Sequence, residues 1–336
     1  MKAILLLSAL LVTLLFSASS FAQEDDRMRM YRVAVIMYQG RQTDAALRIA
    51  GSWKPDSIRR DARQLLDDRD TRLAPGVALL LTESARRDTR ATGPERFAVA
   101  EMLVSNLRRN SPDIRAFQER WFVFMTSVFI AELNPSPART LITRGLRVVG
   151  ASSRLELLSG IAHEMSTYPY ATCPGADCRV SDDRRARVLA LASEAYRRAS
   201  ALDPHSPDAH LRLGRVLDLL GDREGARQEL HEAERMSNRA DLLYLVALFR
   251  ADLYRQDGNL RSAATEAERA INLGPEYQSA RIALAQLSDQ MGMAERSRKI
   301  VAELLRLPRA GDPWWQFKQP EEDRESFEWL NAYVRQ

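Results

Sequence analysis

The sequence predicts an all-α protein, an α-solenoid of stacked antiparallel helix pairs, and three observations predict it. Helical apolar patterns run from Arg27 to the end of the chain, broken only by short proline and glycine interruptions, with no Gly-rich or Ser-rich linker between them. Small residues recur in register, as Ala192, Ala226 and Ala263 and again as Ala199, Ala233 and Ala270, at spacings of 34 and 37 residues. Gly221, Gly258 and Gly292 recur in the same phase, where turns between helices would fall. A hairpin of two helices cannot bury its apolar stripe alone. Small side chains let neighbouring helices close to about 8–10 Å, and stacking creates the shared core.

Composition fits a folded chain, with 45% hydrophobic and 28% charged residues among 336. The 49 basic and 45 acidic residues leave a net charge of +4 and are interleaved along nearly every segment. That is the pattern of solvated helix faces, and it argues against a nucleic-acid-binding stripe. Only Lys2, Lys54, Lys299 and Lys318 are lysines, an arginine bias that a G+C-rich genome explains more simply than phosphate recognition does.

The first element is an export signal over 1–22. Met1-Lys2 gives a positive start, Ala3 to Phe16 is almost wholly apolar, and Ser20-Phe21-Ala22 places small residues where a signal peptidase reads them, so cleavage is expected after Ala22. A retained anchor is the alternative, but an apolar run of about 14 residues falls short of the roughly 20 a membrane span needs. No cysteine stands near the cleavage site for a lipid anchor. The mature protein is thus expected in the periplasm or outside the cell, with no integral membrane span.

Residues 24–170 form the next expected region, a degenerate array of helix pairs. Tyr31 to Ser52 repeats the pair theme weakly, with Gly40 in the turn and Ala45 and Ile49 behind it. Helices are expected from Pro75 to Asp88, Pro94 to Arg109, Pro112 to Leu133 and Pro137 to Val149, because proline suits the first turn of a helix. Trp121 to Ala131 is the most apolar internal stretch, too short to cross a bilayer, and is expected to be a buried helix. Ser152 to Thr167 is then a first helix whose partner, Arg184 to Leu202, is displaced by a cysteine-containing loop over 171–183. In an oxidising compartment Cys173 and Cys178, separated by the turn-forming Pro174-Gly175-Ala176-Asp177, are expected to form a disulfide staple; a redox-active pair is the alternative, disfavoured by the C-x4-C spacing.

From 184 to 308 the repeats are clear. In Ala209-His210-Leu211-Arg212-Leu213-Gly214 a Leu-Gly pair stands where the first helix must be approached closely; Gly221-Asp222 makes the turn; Ala226, Leu230 and Ala233 face inward on the second helix; and Asn238 takes the closing place. A second unit, Tyr244 to Pro275, has Ala251, Gly258, Ala263, Ala267 and Ala270 in the same places. A third, Gln278 to Pro308, keeps Ala285 and Gly292 but has Ser297 and Leu304 where small residues are expected. Leu202-Asp203-Pro204 and Leu273-Gly274-Pro275 close two units. These residues resemble the tetratricopeptide repeat family, whose 34-residue unit pairs two antiparallel helices. The resemblance implies a right-handed superhelix and a groove, lined by the first helices, that binds another protein or a peptide segment. Carried onto this chain, the groove positions are Leu211, Arg215 and Asp218, then Leu248, Asp252 and Arg255, then Ile282, Gln286 and Asp289. The set lacks the lysines, asparagines and arginine by which some members clamp a terminal carboxylate.

No phosphate loop, dinucleotide fingerprint or nucleophile elbow occurs. His163-Glu164 lacks the second histidine of a zinc-peptidase motif, because Thr167 stands there, and His205, His210 and His231 do not form a ligand set. No cofactor or metal is expected. The first expectation is a non-catalytic scaffold; the second is a cell-envelope glycan-acting enzyme, or an accessory subunit of one, with Glu164 or Glu194 as its acid.

Residues 309–336 hold three of the five tryptophans, with Trp314, Trp315, Phe317, Phe327, Trp329 and Tyr333 all in this tail. Exposing them all would be costly, so the tail is expected to fold back as a cap over the last repeat. An aromatic patch for a partner is the alternative.

Overall fold

A computed structural model describes residues 26–70, 72–87, 93–107, 112–168, 180–307 and 311–317. The expected leader, the Cys173–Cys178 disulfide and the tail beyond Phe317 lie outside the described residues. Among the described residues there are fifteen α-helices: α1 (Asp26–Gln39), α2 (Thr43–Gly51), α3 (Pro55–Asp67), α4 (Leu73–Arg87), α5 (Gly93–Asn106), α6 (Pro112–Ala131), α7 (Pro135–Val149), α8 (Ser153–Met165), α9 (Asp182–Leu202), α10 (Pro207–Leu219), α11 (Arg223–Arg235), α12 (Ala240–Gln256), α13 (Leu260–Leu273), α14 (Ser279–Gln290) and α15 (Ala294–Leu304), followed by a 3-10 turn, Pro313–Gln316. Among the described residues no helix is long and apolar enough to cross a membrane. The chain divides after Trp121, within α6, into two units.

In the first unit α1 packs on α2, and both pack on α4, which pairs with α5. Gly76 on α4 faces Val35 on α1 so closely that a Cβ there would lie 2.6 Å from a valine methyl. The helix α3 is not expected from the sequence; it sits between the two pairs in the chain and packs on α4 and α5. Its buried Ile58, Ala62 and Leu65 have the spacing of one helical face, and Pro55 opens it. Single polar side chains stitch this unit. Asp61 accepts from Arg27 Nε (2.8 Å) and Tyr31 Oη (2.9 Å). Arg96 reaches the Ala50 and Gly51 carbonyls at the end of α2 and the Ser84 hydroxyl, and Trp121 Nε1 donates to Thr82 Oγ1.

In the second unit α7 packs on α8 and α8 on α9; then α10 and α11, α12 and α13, and α14 and α15 follow as antiparallel pairs, each second helix also touching the next first helix. The alanines at 192, 199, 226, 233, 263, 267 and 270 are all fully buried at these contacts. At Gly160 a Cβ would lie 2.2 Å from the Tyr196 ring, which is why α8 can lie so close to α9. The Trp121–Ala131 stretch is less buried than expected: Phe122, Met125 and Thr126 are covered, but Phe124 on the opposite face is 43% exposed. A 20-residue helix has a far side, and in this one the apolar residues run all the way round.

Candidate functional site

The first helices of three successive pairs, α10, α12 and α14, bring together the expected groove residues, and the structure sorts them into two kinds. Leu211 and Leu248 are core side chains, and Arg215 is only 3% exposed. Asp218, Asp252 and Arg255 form a polar ladder along α10 and α12. Asp218 lies 3.8 Å from Arg215, Gln256 Nε2 donates to Asp218 Oδ1 (3.1 Å) and Asp252 Oδ2 (3.0 Å), and Asp252 accepts from Arg255 Nε at 3.0 Å. Burial and then the neighbouring Asp252 charge push the Asp218 carboxyl up, and Arg215 only partly opposes them. Ile282 and Gln286 are half-buried, and Asp289 is exposed.

The described part of the C-terminal tail lies on this face, against α10, α12 and the start of α14. Phe317 is buried in the same core cluster as Leu211, Tyr244 and Phe249, with Trp314 packed beside it. The Trp314 and Phe317 rings stand 5.0 and 5.3 Å from the Phe249 ring. The Arg212 guanidinium lies 4.4 Å above Phe317 and 3.5 Å from the Glu164 carboxylate, and Arg215 faces both Phe249 (5.4 Å) and Trp314 (5.9 Å). Asp312 anchors the segment: its carboxylate accepts from Ser279 N (2.8 Å), Gln278 N (3.1 Å), Trp314 N (2.9 Å) and Tyr244 Oη (3.1 Å). Burial, and after it the Asp312 charge, pushes the Tyr244 hydroxyl up, so it stays a donor.

Arg212, Tyr244, Phe249 and Asp312 are therefore site residues that the sequence positions miss. Two of them follow expected residues directly, Arg212 after Leu211 and Phe249 after Leu248. One residue is about 100° around a helix.

The helix pairs recur at the 34- and 37-residue spacing, with buried alanines at the contacts and Gly221, Gly258 and Gly292 at φ of 86°, 77° and 75° in the turns. These are tetratricopeptide-type helix pairs. No protein-family model and no curated protein matches the chain. Among solved structures it is similar to Pseudomonas aeruginosa pilF, at 15% identity and a TM-score of 0.49 over 66% of this chain and 92% of that one. It is also similar to MamA from Desulfovibrio magneticus RS-1, at 15% identity and a TM-score of 0.44 over 56% and 94%. Yeast Tom70 is a third, at 13% identity and a TM-score of 0.42 over 95% and 66%.

Proposed function

We propose that this chain is an exported, non-catalytic scaffold that binds another protein or a peptide segment in the groove along α10, α12 and α14. One observation carries the reading: that face already holds a short stretch of polypeptide, residues 311–317, through a buried carboxylate and two aromatic rings. Export, to the periplasm or beyond, is supported by the residues of 1–22.

The enzyme alternative finds little support in its two nominated acids. Glu164 is buried, accepts a hydrogen bond from Tyr196 Oη at 2.8 Å and pairs with Arg212, an arrangement that fixes α8, α9 and α10 together. Glu194 is exposed on α9. Fold alone does not fix function.

The test is site-specific photo-crosslinking in the intact cells that make the protein, with the reactive side chain at Gln286 on the groove and, as a control, at Arg261 on the exposed side of α13. A partner captured from Gln286 and not from Arg261 is the expected result. Equal capture from both positions, or none from Gln286, would sink the groove reading. Arg215→Glu is a poor probe, because it buries a charge against Asp218 and reports folding.

A further inference from the structure

Resting on that groove reading, we propose that residues 311–317 are an intramolecular ligand, and that the partner enters as a short segment of the same chemistry, folded in the same single turn: a carboxylate, an aromatic ring two residues later and a second ring three residues after that. Asp312, Trp314 and Phe317 supply this pattern in cis.

The carboxylate seat is part of the body of the protein. The helices α11 and α13 are capped by their own neighbours, Asp222 accepting from Gly225 N and Asn259 from Ser262 N. No side chain at Gln278 caps α14. Its first N–H groups, on Gln278 and Ser279, point instead at a carboxylate 34 and 33 residues away in sequence, and Tyr244 Oη converges on the same oxygens. The positive end of a helix with a hydroxyl beside it binds a carboxylate well, and Asp312 is 3% exposed there. The aromatic seats are equally specific, with Phe249 against both rings, the Arg212 guanidinium over Phe317 and the Arg215 guanidinium over Trp314.

A cap that only closed the array would cover the outer face of α15. This segment instead crosses the first helices of three pairs, where a ligand would lie, and holds on through one acid and two rings on a four-residue 3-10 turn. Tethering gives it an effective concentration on the order of millimolar, so a free peptide competes poorly until the cis segment is weakened.

The experiment uses the full chain and a fluorescein-labelled peptide with the sequence of residues 311–317, read by anisotropy. An Asp312→Asn/Phe317→Ala chain, confirmed helical by circular dichroism, should bind the peptide roughly tenfold or more tighter than the wild-type chain. The same chain should bind a peptide carrying Asn for its Asp roughly tenfold weaker. If the double variant does not fold, Trp314→Ala takes its place with the same expectation. Equal binding of the Asp and Asn peptides, or no binding to a folded variant, overturns the proposal. Concentration-dependent dimers of the wild-type chain that the double variant abolishes would put a second copy's tail in the groove and overturn it too. Capture from Gln286 with no Asp/Asn discrimination removes this inference and leaves groove binding standing; failure of both experiments removes both.

Discussion

The two units of this protein use the same helical hairpin but hold it together differently. From α10 to α15 the turns between paired helices are glycines in the left-handed region, and the helix contacts are buried alanines. Earlier in the chain the same turn recurs with a non-glycine residue in the left-handed position. Arg41 N donates to Tyr38 O and Gln42 N to Met37 O between α1 and α2, and Leu133 N donates to Ile130 O and Asn134 N to Phe129 O between α6 and α7. Gly258 N to Arg255 O and Asn259 N to Tyr254 O is the matching pattern in the clear repeats. Arg41 and Leu133 adopt φ of 62° and 55°, where a side chain is unfavourable. In the first unit, packing by small residues is supplemented by single long polar side chains that reach across helices. Backbone geometry therefore outlasts the sequence signature that normally announces it.

The largest expected effect tests the polar stitching. Arg96→Met removes charge-assisted bonds to the Ala50 and Gly51 carbonyls and to Ser84, all inside the first unit. We expect a loss of about 3 kcal/mol, read as faster hydrogen exchange in peptides from 26–107. Wild-type exchange in those peptides would mean the buried arginine contributes no net stability. The counterpart in the repeats is Ala267→Leu, which forces added volume between α13 and its neighbours, where Ala267 is fully buried. About 2 kcal/mol is expected, measured by the urea midpoint. A neutral result would show that the alanine contacts leave slack.

These differences explain how far the sequence could be read. The pairs from 207 onward were legible because alanine and glycine are both demanded there, by close approach and by positive φ. The helix α3 was not, whereas α1 and α2 were expected around the Gly40 turn and α4 to α7 from the prolines near their starts. Leu133 stands in a turn where the clear repeats have glycine, α3 stretches the distance from one pair to the next, and a tie such as Arg96 to Gly51 has no periodic trace. At the expected groove positions, repeat offsets alone pick out Asp218, Asp252 and Arg255, which the structure joins in a polar ladder. The Asp312 seat was not, because it joins residues 278 and 279 to residue 312 only in three dimensions.

A smaller effect sharpens the turn comparison by going in both directions. Leu133→Gly should stabilise by about 1 kcal/mol, since its side chain is 51% exposed and little packing is lost. Gly258→Ala should destabilise by about the same amount, since open space surrounds the site and only φ opposes the substitution. Urea midpoints moving in opposite senses at unchanged slope are the expected reading; movement in the same sense would mean that the two turns are not equivalent.

The smallest effect separates polar from apolar stitching by pH. Burial pushes the Asp61 carboxyl up, but hydrogen bonds from Arg27 and Tyr31, with the Arg27 charge, outweigh it, and the net shift is downward from the usual 3.8. A carboxyl lowered on folding stabilises the native state above its unfolded value and loses that contribution as pH falls through its lower folded value. The window is therefore below about pH 4. Arg27 is 46% exposed, so solvent screening holds the contribution to about 1 kcal/mol or less. Asp218 has the opposite sign: its raised carboxyl favours the native state at low pH, and that contribution is lost as pH rises through the folded value. Acidification from pH 5 to pH 3 should thus loosen peptides from 26–67 in hydrogen exchange before those from 207–256, once rates are corrected for intrinsic pH dependence. Asp61→Asn should abolish the acid-dependent part of that loosening. Equal loosening in Asp61→Asn and wild type would assign the acid sensitivity to other groups and leave Asp61 with a packing role alone.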